Sequence, residues 1–344
     1  MLDAGIREIL VISVSRIGDT LLTTPAIRAL ARGYPEARIT CLAHPKRMEV
    51  LYHLPFVHRV GAITKFRARL MGWFAGRRYD LAFVYGFDRP LVAYALRVAE
   101  RVVAFRQCDP ALDERLYIAV PRPGFQSMHS VHLNLALVQA AGVAPAGYAL
   151  SYRVTPQEAD WARSLIARVA PAEASPRIGL QIASFPTKGY RDWPLEHFVA
   201  LCERIVARCG RAHFFIFGGR HERARTAALH ERFRDRSTLL AGKLTLRQTA
   251  ALMSRLDLYI GVDTGPTHLM GTMNIPMVVL YHCHSPSRLL APLEHPCLYA
   301  VDHPRSREAC GPETPMAELD VDSVWRRVEE ALETAHGAQA VPGR

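Results

Sequence analysis

The chain has 344 residues, of which 49% are hydrophobic and 22% are charged. This length suits two domains, and the composition excludes a disordered chain. No apolar run reaches the roughly 20 residues that a membrane-spanning helix needs, and the N-terminus lacks the pattern of a secretory signal. The seven cysteines are scattered and form no C-x-x-C pair, which predicts reduced thiols in a cytoplasmic protein.

The net charge of +11 is unevenly distributed, with +8 in residues 1–150 and +3 in residues 151–344. A basic first half favours an anionic partner, such as a phosphorylated substrate, a membrane surface or nucleic acid, although solubility alone is an alternative explanation. No recognised nucleic-acid-binding motif is present, so we expect no nucleic-acid partner.

Short β-rich runs alternate with helical patterns along the chain. The strand candidates are 9–15, 38–43, 80–85, 101–105, 177–183, 212–218, 237–241, 257–262 and 276–281. Helical spacing of apolar residues marks the segments 22–33, 90–99, 196–208, 222–233 and 246–254. This alternation predicts an α/β fold with doubly wound parallel sheets, covered by helices on both faces.

A domain boundary is indicated by the breaker-rich stretch 142–147 and by a helix that starts at Pro156. We therefore predict one Rossmann-like domain over residues 1–155 and a second over residues 156–344. Two such domains that face each other would place a central cleft at the carboxyl ends of both sheets. The final helix, at about 320–335, is a candidate to pack back on the first domain.

The first candidate site is the turn after the first strand, where Arg16, Gly18 and Asp19 precede a helix. Gly18 permits a sharp bend or the close approach of a substrate. Two roles are open for Asp19, which is either a general base toward an acceptor hydroxyl or a simple helix cap. A G-x-G-x-x-G fingerprint is absent, so a nicotinamide-dinucleotide site has no support.

The second candidate site is a hexapeptide between a predicted strand and an apolar helical stretch. Its residues are Asp263, Thr264, Gly265, Pro266, Thr267 and His268. A strand, a tight turn and a helix start together offer backbone N–H groups to a diphosphate. Asp263 is an awkward neighbour for an anion and is expected to order the turn instead. His268 either donates to a phosphate or caps the turn.

Two further segments follow strands of the second half. Ser184, Lys188 and Arg191 lie in the loop after the strand at 177–183. The two cations either neutralise charge on a departing diphosphate without a metal, or form a solvated basic loop. Gly218 and Glu222 follow the next strand, and Glu222 either accepts hydrogen bonds from ribose hydroxyls or is a first-turn acid favoured by the helix dipole.

The run His282–His284 has the residue types of a metal site, with one cysteine between two histidines. Adjacent residues on a strand point in different directions, and no second ligand pair has suitable spacing. We therefore predict that the protein holds no metal.

The stretch Lys65–Arg78 mixes cations with large apolar residues. Its cations are Lys65, Arg67, Arg69, Arg77 and Arg78, and its large apolar residues are Phe66, Leu70, Met71, Trp73 and Phe74. This mix suits a membrane interface, with aromatic residues at the boundary and cations on anionic headgroups. An ordinary amphipathic surface helix is the alternative.

Three segments together resemble glycosyltransferase family 9, the family of the lipopolysaccharide heptosyltransferases. In chain order they are ILVISVSRIGDTLLTTPAIRAL, KGYRDWPLEHF and YIGVDTGPTHLMGTMNIPMVVLY. The resemblance runs over roughly residues 8–330. It implies a GT-B fold, with the acceptor on the N-terminal domain and the sugar nucleotide on the C-terminal one. It also implies an inverting transfer with no obligatory metal or other cofactor.

The resemblance assigns roles to single residues. The resemblance makes Asp19 the catalytic aspartate of the family. It makes Thr264, Gly265 and His268 the contacts of the diphosphate. Arg191 stands where the family usually has lysine, and Lys188, three residues earlier, is the alternative. Glu222 falls close to a ribose-binding acid, while His282–His284 replace a glycine-containing turn and leave the sugar identity open. The remaining candidates are Asp263, Pro266, Thr267, Gly218 and Ser184 for the donor, and Arg16 and Gly18 for the acceptor.

The sequence therefore predicts an inverting glycosyltransferase that moves heptose from ADP-heptose to a lipopolysaccharide core or a related lipid-linked saccharide. The expected partners are a nucleotide-sugar donor, an anionic lipid-linked acceptor and, through peripheral contact, the inner face of the cytoplasmic membrane. Two alternatives remain: a glycosyltransferase of the same fold that uses another donor for O-antigen or capsule synthesis, and a non-catalytic sugar-nucleotide-binding protein.

Overall fold

The computed structural model describes residues 5–74, 76–122, 124 and 127–339. The chain divides into two compact units, Met1–Arg153 and Val154–Arg344, whereas the sequence analysis placed the boundary after residue 155. Residues 1–4 and 340–344, the outer ends of the two predicted domains, lie outside the described residues. Each unit contains one parallel six-stranded sheet.

The first unit comprises six strands and the helices that connect them. Its strands are β1 (Glu8–Ser13), β2 (Arg38–Ala43), β3 (Arg59–Ala62), β4 (Tyr79–Tyr85), β5 (Ala99–Phe105) and β6 (Ile118–Val120). Its helices are α1 (Ile17–Leu22), α2 (Thr24–Gly33), α3 (Lys65–Leu70), α4 (Arg89–Val98), α5 (Pro110–Asp113) and α6 (Ser130–Ala140). The strand order in the sheet is β3-β2-β1-β4-β5-β6.

Strand β1 lies in the middle of this sheet and is buried along nearly its whole length. Its apolar sequence fits this position because a parallel sheet is covered on both faces. Val11 is in register with Cys41 of β2 on one side and with Phe83 of β4 on the other. The order of strands reverses between β1 and β4, and α/β sheets bind ligands at such a switch point. The turn that carries Asp19 follows β1 at this place.

The second unit repeats the same topology. Its strands are β7 (Arg177–Gln181), β8 (His213–Ile216), β9 (Ser237–Leu239), β10 (Leu258–Val262), β11 (Met277–Tyr281) and β12 (Leu298–Asp302). Its helices are α7 (Pro156–Val169), α8 (Leu195–Cys209), α9 (Arg223–Arg232), α10 (Leu246–Met253), α11 (Gly265–Met270), α12 (Ser287–Leu290) and α13 (Val321–Gln339). The strand order is β12-β11-β10-β7-β8-β9, so the switch point lies between β7 and β10.

Local sequence explains where α7 begins. Thr155 accepts a hydrogen bond from the backbone N–H of Glu158, and the Glu158 carboxylate accepts one from the backbone N–H of Thr155. This capping box satisfies two N–H groups that a helix start leaves without partners, and Pro156 at the first position needs no acceptor.

The last helix, α13, packs on the second sheet. Val324, Val328 and Ala331 are fully buried and belong to the same apolar cluster as strands β7, β10 and β11. Trp193 lies in this cluster too, and its indole Nε1 donates to the carbonyl of Leu319 at 2.7 Å. The helix therefore completes the core of the second unit, whereas the sequence analysis made it a candidate to pack back on the first domain.

Among the described helices, none combines the length and the apolar content that crossing a bilayer requires.

Candidate functional site

The turn after β1 leaves the Asp19 side chain exposed. Helix α1 has Arg16 at its N-cap position, and Asp19 is the third residue of the helix. In the described part of the chain the Asp19 carboxylate makes no hydrogen bond and no ion pair. The structure thus excludes the alternative that Asp19 merely caps the helix, because another residue holds that position. Gly18, beside it, is buried.

Hydroxyl groups that the sequence analysis did not single out fix the backbone of this turn. Thr20 Oγ1 donates to the carbonyl of Arg16 at 2.9 Å, and Thr23 Oγ1 donates to the carbonyl of Asp19 at 2.9 Å. Arg47 Nη1 donates to the carbonyl of Ser15 at 2.9 Å. The backbone around the carboxylate is therefore held from several sides while the carboxylate itself faces outward.

In the second unit, the turn after β10 is ordered by Thr267. Its hydroxyl donates to the carbonyl of Val262 at 2.6 Å and lies 2.9 Å from the Tyr259 hydroxyl, and the residue is buried. The hydrogen of Thr267 is therefore used inside the turn and is not available to a phosphate. Pro266 has no N–H to donate and instead sets the backbone angle of the first helical turn.

Backbone groups remain as donors in this turn, and His268 Nδ1 also has no hydrogen-bond partner among the described residues. The N–H groups of Thr267 and His268 both point to the carbonyl of Thr264. Within the described residues, the N–H groups of Thr264 and Gly265 have no acceptor, and both residues are half-buried rather than covered. An anion placed against the turn would meet these two groups first.

Asp263 is 1% exposed, and its carboxylate lies between Arg191 and His268. Arg191 Nη1 donates to Asp263 Oδ2 at 2.5 Å and to its carbonyl at 3.2 Å. His268 Nε2 lies 3.4 Å from Oδ1, a contact at ion-pair distance but longer than a good hydrogen bond. Burial would raise the pKa of Asp263, but His268 and the Arg191 guanidinium outweigh it and hold that pKa below its ordinary value.

The two candidate cations differ in what they already bind. Arg191 is committed to Asp263 and, through Nη2, to the Ser285 hydroxyl at 2.9 Å. Lys188 Nζ lies 3.4 Å from the Tyr190 hydroxyl and pairs with no carboxylate in the described part of the chain. Arg191 therefore positions the turn at Asp263, while Lys188 carries a charge that no acid neutralises.

Tyr190, between the two cations, is a site residue that the sequence analysis missed. Its ring lies 4.9 Å from the ring of His282 and 6.1 Å from that of His284, centroid to centroid. Burial would raise the pKa of Tyr190, but the charge of Arg191 and hydrogen bonds from Arg191, Lys188 and Ser285 lower it below its ordinary value. A phenol that ionises more readily reports a positive local field, which is what an anionic ligand requires.

Ser184 organises the loop that carries these cations. Its backbone N–H donates to Asp192 Oδ1 at 2.7 Å, and its hydroxyl lies 2.6 Å from the same oxygen and from the Lys188 carbonyl. Burial raises the pKa of Asp192, against the opposing effect of these hydrogen bonds and of Arg225. The Ser184 side chain is thus engaged within the loop, and its predicted contact with the donor stays a prediction.

Gly218 and Glu222 form a compact turn after β8. A Cβ atom at Gly218 would lie 3.2 Å from Thr226 and 3.3 Å from Ala241, so the position favours glycine. The Glu222 carboxylate accepts a hydrogen bond from the backbone N–H of Gly219 through Oε2. Burial raises the pKa of Glu222, although the Gly219 hydrogen bond opposes this. A ribose-binding role for Glu222 stays a prediction.

The loop after β11 contains a disulfide that the sequence analysis did not foresee. Cys283 is bonded to Cys310, which stands 27 positions later in the chain. The expectation that all seven cysteines are reduced thiols is therefore wrong for this pair, whereas Cys41, Cys108 and Cys202 are free, as are Cys209 and Cys297. Two thiols far apart in sequence carry no pairing signal, so only the fold brings them together.

His282 lies against this disulfide. Its Nε2 is 2.8 Å from the Thr314 carbonyl, and its Nδ1 accepts the N–H of His284 at 3.0 Å. One of its ring nitrogens and the sulfurs of Cys283 and Cys310 all lie within 4.8 Å of one another. A metal would need both sulfurs as thiolates, and here they are bonded to each other. The predicted absence of a metal remains a prediction.

The sequence profile of glycosyltransferase family 9 (heptosyltransferase) matches residues 120–311, more than half of the chain. The chain belongs to glycosyltransferase family 9. A relative, lipopolysaccharide heptosyltransferase 3 of Escherichia coli, is 24% identical over 283 residues that cover 77% of this chain and 80% of the relative.

Solved structures show the fold. The glycosyl transferase family 9 protein from Veillonella parvula DSM 2008 superposes with a TM-score of 0.81 at 18% identity, over 95% of this chain and 97% of that one. The heptosyltransferase WaaC of E. coli with ADP gives 0.70 at 17% identity, over 94% and 99%. The predicted fold class, α/β with two Rossmann-like domains of the GT-B type, is confirmed.

Proposed function

We propose that the protein is an inverting glycosyltransferase that moves heptose from ADP-heptose to a lipopolysaccharide core or a related lipid-linked saccharide. One observation carries the proposal. Within the described residues, the first unit presents a carboxylate, Asp19, that forms no ion pair. The second unit presents the N–H groups of Thr264 and Gly265 without an acceptor there, and Lys188, which pairs with no described carboxylate. Family membership supports glycosyl transfer as the reaction class.

The chemistry starts at Asp19. The carboxylate removes the proton of an acceptor hydroxyl, and the oxygen then attacks the anomeric carbon of the donor sugar. The attack comes from the face opposite the diphosphate as the bond between that carbon and the diphosphate oxygen breaks. The configuration at the anomeric carbon therefore inverts. A positioned base contributes about 10² to 10⁴ in rate, and an exposed carboxylate on a backbone fixed by Thr20 and Thr23 meets this requirement.

The leaving group is the nucleoside diphosphate. Its developing charge is stabilised by the N–H groups of Thr264 and Gly265 and by Lys188, because preorganised donors act most strongly where charge appears in the transition state. Arg191 acts indirectly, by holding Asp263 and hence the turn. The free carboxylate oxygen of Glu222 is assigned to the ribose hydroxyls. This scheme uses no metal.

The donor assignment rests on similarity. The WaaC structures similar to this chain hold ADP in one case and ADP-2-deoxy-2-fluoro heptose in another. The acceptor assignment rests on the name of the relative, a lipopolysaccharide heptosyltransferase, and on the +8 charge of residues 1–150, which suits an anionic saccharide. The proposal places the reaction at the cytoplasmic face of the membrane.

The decisive experiment measures ADP release from ADP-heptose with and without a heptose-deficient lipopolysaccharide core. We expect release that depends on the acceptor and persists in the presence of EDTA. Loss of activity with EDTA that added divalent metal restores would refute the metal-free scheme.

A donor screen by thermal shift then separates the alternatives. A ligand at 100 times its Kd adds roughly 2.7 kcal/mol of stability, so the matching nucleotide sugar stands out. Preference for a UDP- or GDP-sugar with turnover would indicate another glycosyltransferase of this fold. Binding of ADP-heptose without release of ADP for any core acceptor would indicate a sugar-nucleotide-binding protein.

A further inference from the structure

Residues 65–74 present large apolar side chains to solvent. The exposed fractions are 70% for Phe66, 68% for Leu70, 43% for Met71, 66% for Trp73 and 104% for Phe74. Helix α3 buries only Ala68 among its six residues. An amphipathic surface helix would bury its apolar residues and expose its polar ones, so the structure does not fit that alternative. Clustered exposed apolar residues mark an interaction site.

This exposure is built into the fold. Ala68 packs in the apolar core with residues of α4, and Thr64 caps α3 by accepting the N–H of Arg67 at 3.2 Å. Arg97 of α4 donates to the carbonyls of Ala68 and Met71. The chain around the apolar residues is thus anchored to α4 while their side chains point away from the core.

Trp73 is held in the same way. Its Nε1 donates to the carbonyl of Arg69 at 3.1 Å, and the Arg97 guanidinium lies 4.6 Å from its ring centroid. A fixed indole with two-thirds of its surface in water is costly unless something covers it.

The charge of the segment identifies the kind of partner. Lys65, Arg67, Arg69, Arg77 and Arg78 give it five cations, and no acidic residue lies between positions 65 and 78. A second copy of this surface would bring like charges together, which opposes self-association. An anionic bilayer offers both requirements at once, with acyl chains for the apolar residues and phosphates for the cations.

We infer that the surface formed by residues 65–74 and 76–78 docks the protein on an anionic lipid bilayer, with Phe66, Leu70, Trp73 and Phe74 inserted at the headgroup boundary. Its place in the fold suits a lipid-linked acceptor, because Lys65 pairs with Asp88 just after β4. That is the carboxyl edge of the first sheet, which also carries Asp19. The inference goes beyond the proposed function, since docking needs neither donor nor acceptor.

The test uses the full chain with vesicles of phosphatidylcholine, alone or mixed with phosphatidylglycerol, and measures co-sedimentation. We expect binding to the mixed vesicles that falls as salt is added. The double variant Trp73→Ser/Phe74→Ser should bind at least tenfold more weakly. Tyr117→Ser, which removes an exposed aromatic residue elsewhere on the same unit, should bind as the wild type does.

A second pair of variants separates local charge from net charge. Arg67→Gln/Arg69→Gln and Arg163→Gln/Arg327→Gln remove the same two charges, the latter from exposed positions in the second unit. We expect only the first pair to weaken binding by tenfold or more. Equal weakening by both pairs would overturn the inference, because binding would then follow net charge alone.

Tryptophan emission gives a readout that does not depend on comparing variants for affinity. Trp73 is exposed, Trp193 is fully buried, and Trp161 and Trp325 are half-buried in the second unit. Vesicle binding through Trp73 should therefore shift the wild-type emission to shorter wavelength. The shift should disappear in Trp73→Phe while co-sedimentation persists. Binding without any shift, no binding to anionic vesicles, or a concentration-dependent dimer that Trp73→Ser/Phe74→Ser abolishes would each overturn the inference. Loss of docking with acceptor-dependent ADP release intact would leave the proposed function standing.

Discussion

Two carboxylates follow inner strands of the two sheets and have opposite surroundings. Asp19, after β1, is exposed and has no ion pair within the described residues. Asp263, after β10, is buried between Arg191 and His268. The same succession of strand, turn and helix therefore yields an exposed acid without an ion pair in one unit and a buried, paired acid that orders its turn in the other.

The difference follows from charge compensation. Taking a proton at Asp263 would break a pair with Arg191 that burial makes costly to lose. Asp19 can be protonated without disrupting any contact that the structure describes. Asp19→Asn should therefore lower the rate of the reaction, whereas Asp263→Asn should lower the free energy of unfolding.

The largest expected effect is that of Asp19→Asn on turnover. The amide keeps the shape but cannot accept a proton, so kcat should fall by about 10² to 10⁴, as measured by acceptor-dependent ADP release. Donor binding by thermal shift should be unchanged. Glu114→Gln, which removes an exposed acid of the same unit, should leave kcat unaltered, and a variant at Asp19 with normal kcat would remove the base assignment.

Asp263→Asn should act on stability instead. Removing one partner of a buried ion pair leaves the other uncompensated and costs about 3 kcal/mol in free energy of unfolding. Urea unfolding measures this loss. The control, Asp160→Asn, breaks an exposed pair with Arg163, for which we expect less than about 1 kcal/mol. Similar losses in both variants would contradict the structural role of Asp263.

Lys188→Gln sharpens the comparison within the second unit. Loss of one charge-assisted contact costs about 1.5 kcal/mol, so ADP should bind roughly tenfold more weakly, with no change in unfolding free energy. Lys243→Gln removes an exposed lysine of the same unit and should have no effect on ADP affinity. Unaltered affinity in Lys188→Gln would return the diphosphate contact to Arg191.

The smallest effect concerns pH. Because the pKa of Asp263 is lowered in the folded protein, its contribution to stability is present above its unfolded pKa and is lost as pH falls through its folded value. The stability gap between wild type and Asp263→Asn should therefore narrow as the solution is made acidic. The raised pKa of Glu222 makes its contribution to stability change with pH in the opposite direction. Glu222 is present in both proteins, so it does not alter the difference between them. A gap that widened on acidification would contradict the sign of this shift.

The sequence predicted the inner strands well and missed three edge strands. Strands such as β1, β4 and β10 are almost wholly buried, so their apolar runs stand out. The missed strands β3, β6 and β12 lie at sheet edges. Most of their residues are half-exposed, so they need no continuous apolar run and give little signal.

The sequence predicted many residues of the candidate site but not the contacts between them. The position of Asp19 inside α1 rather than at its cap depends on where the helix begins, which sequence fixes only to within a few residues. The hydrogen bond between Arg191 and Ser285 joins residues 94 positions apart. Such a contact arises from the neighbouring positions of β7, β10 and β11 in the sheet, and no local pattern encodes it.

The bond between Cys283 and Cys310 encloses α12 and β12. A protease that cuts the backbone between Cys283 and Cys310 would yield two fragments that the disulfide still joins, so they would migrate as a single molecule. The portion bearing α13 would separate from the rest only after a thiol is added and the protein is denatured.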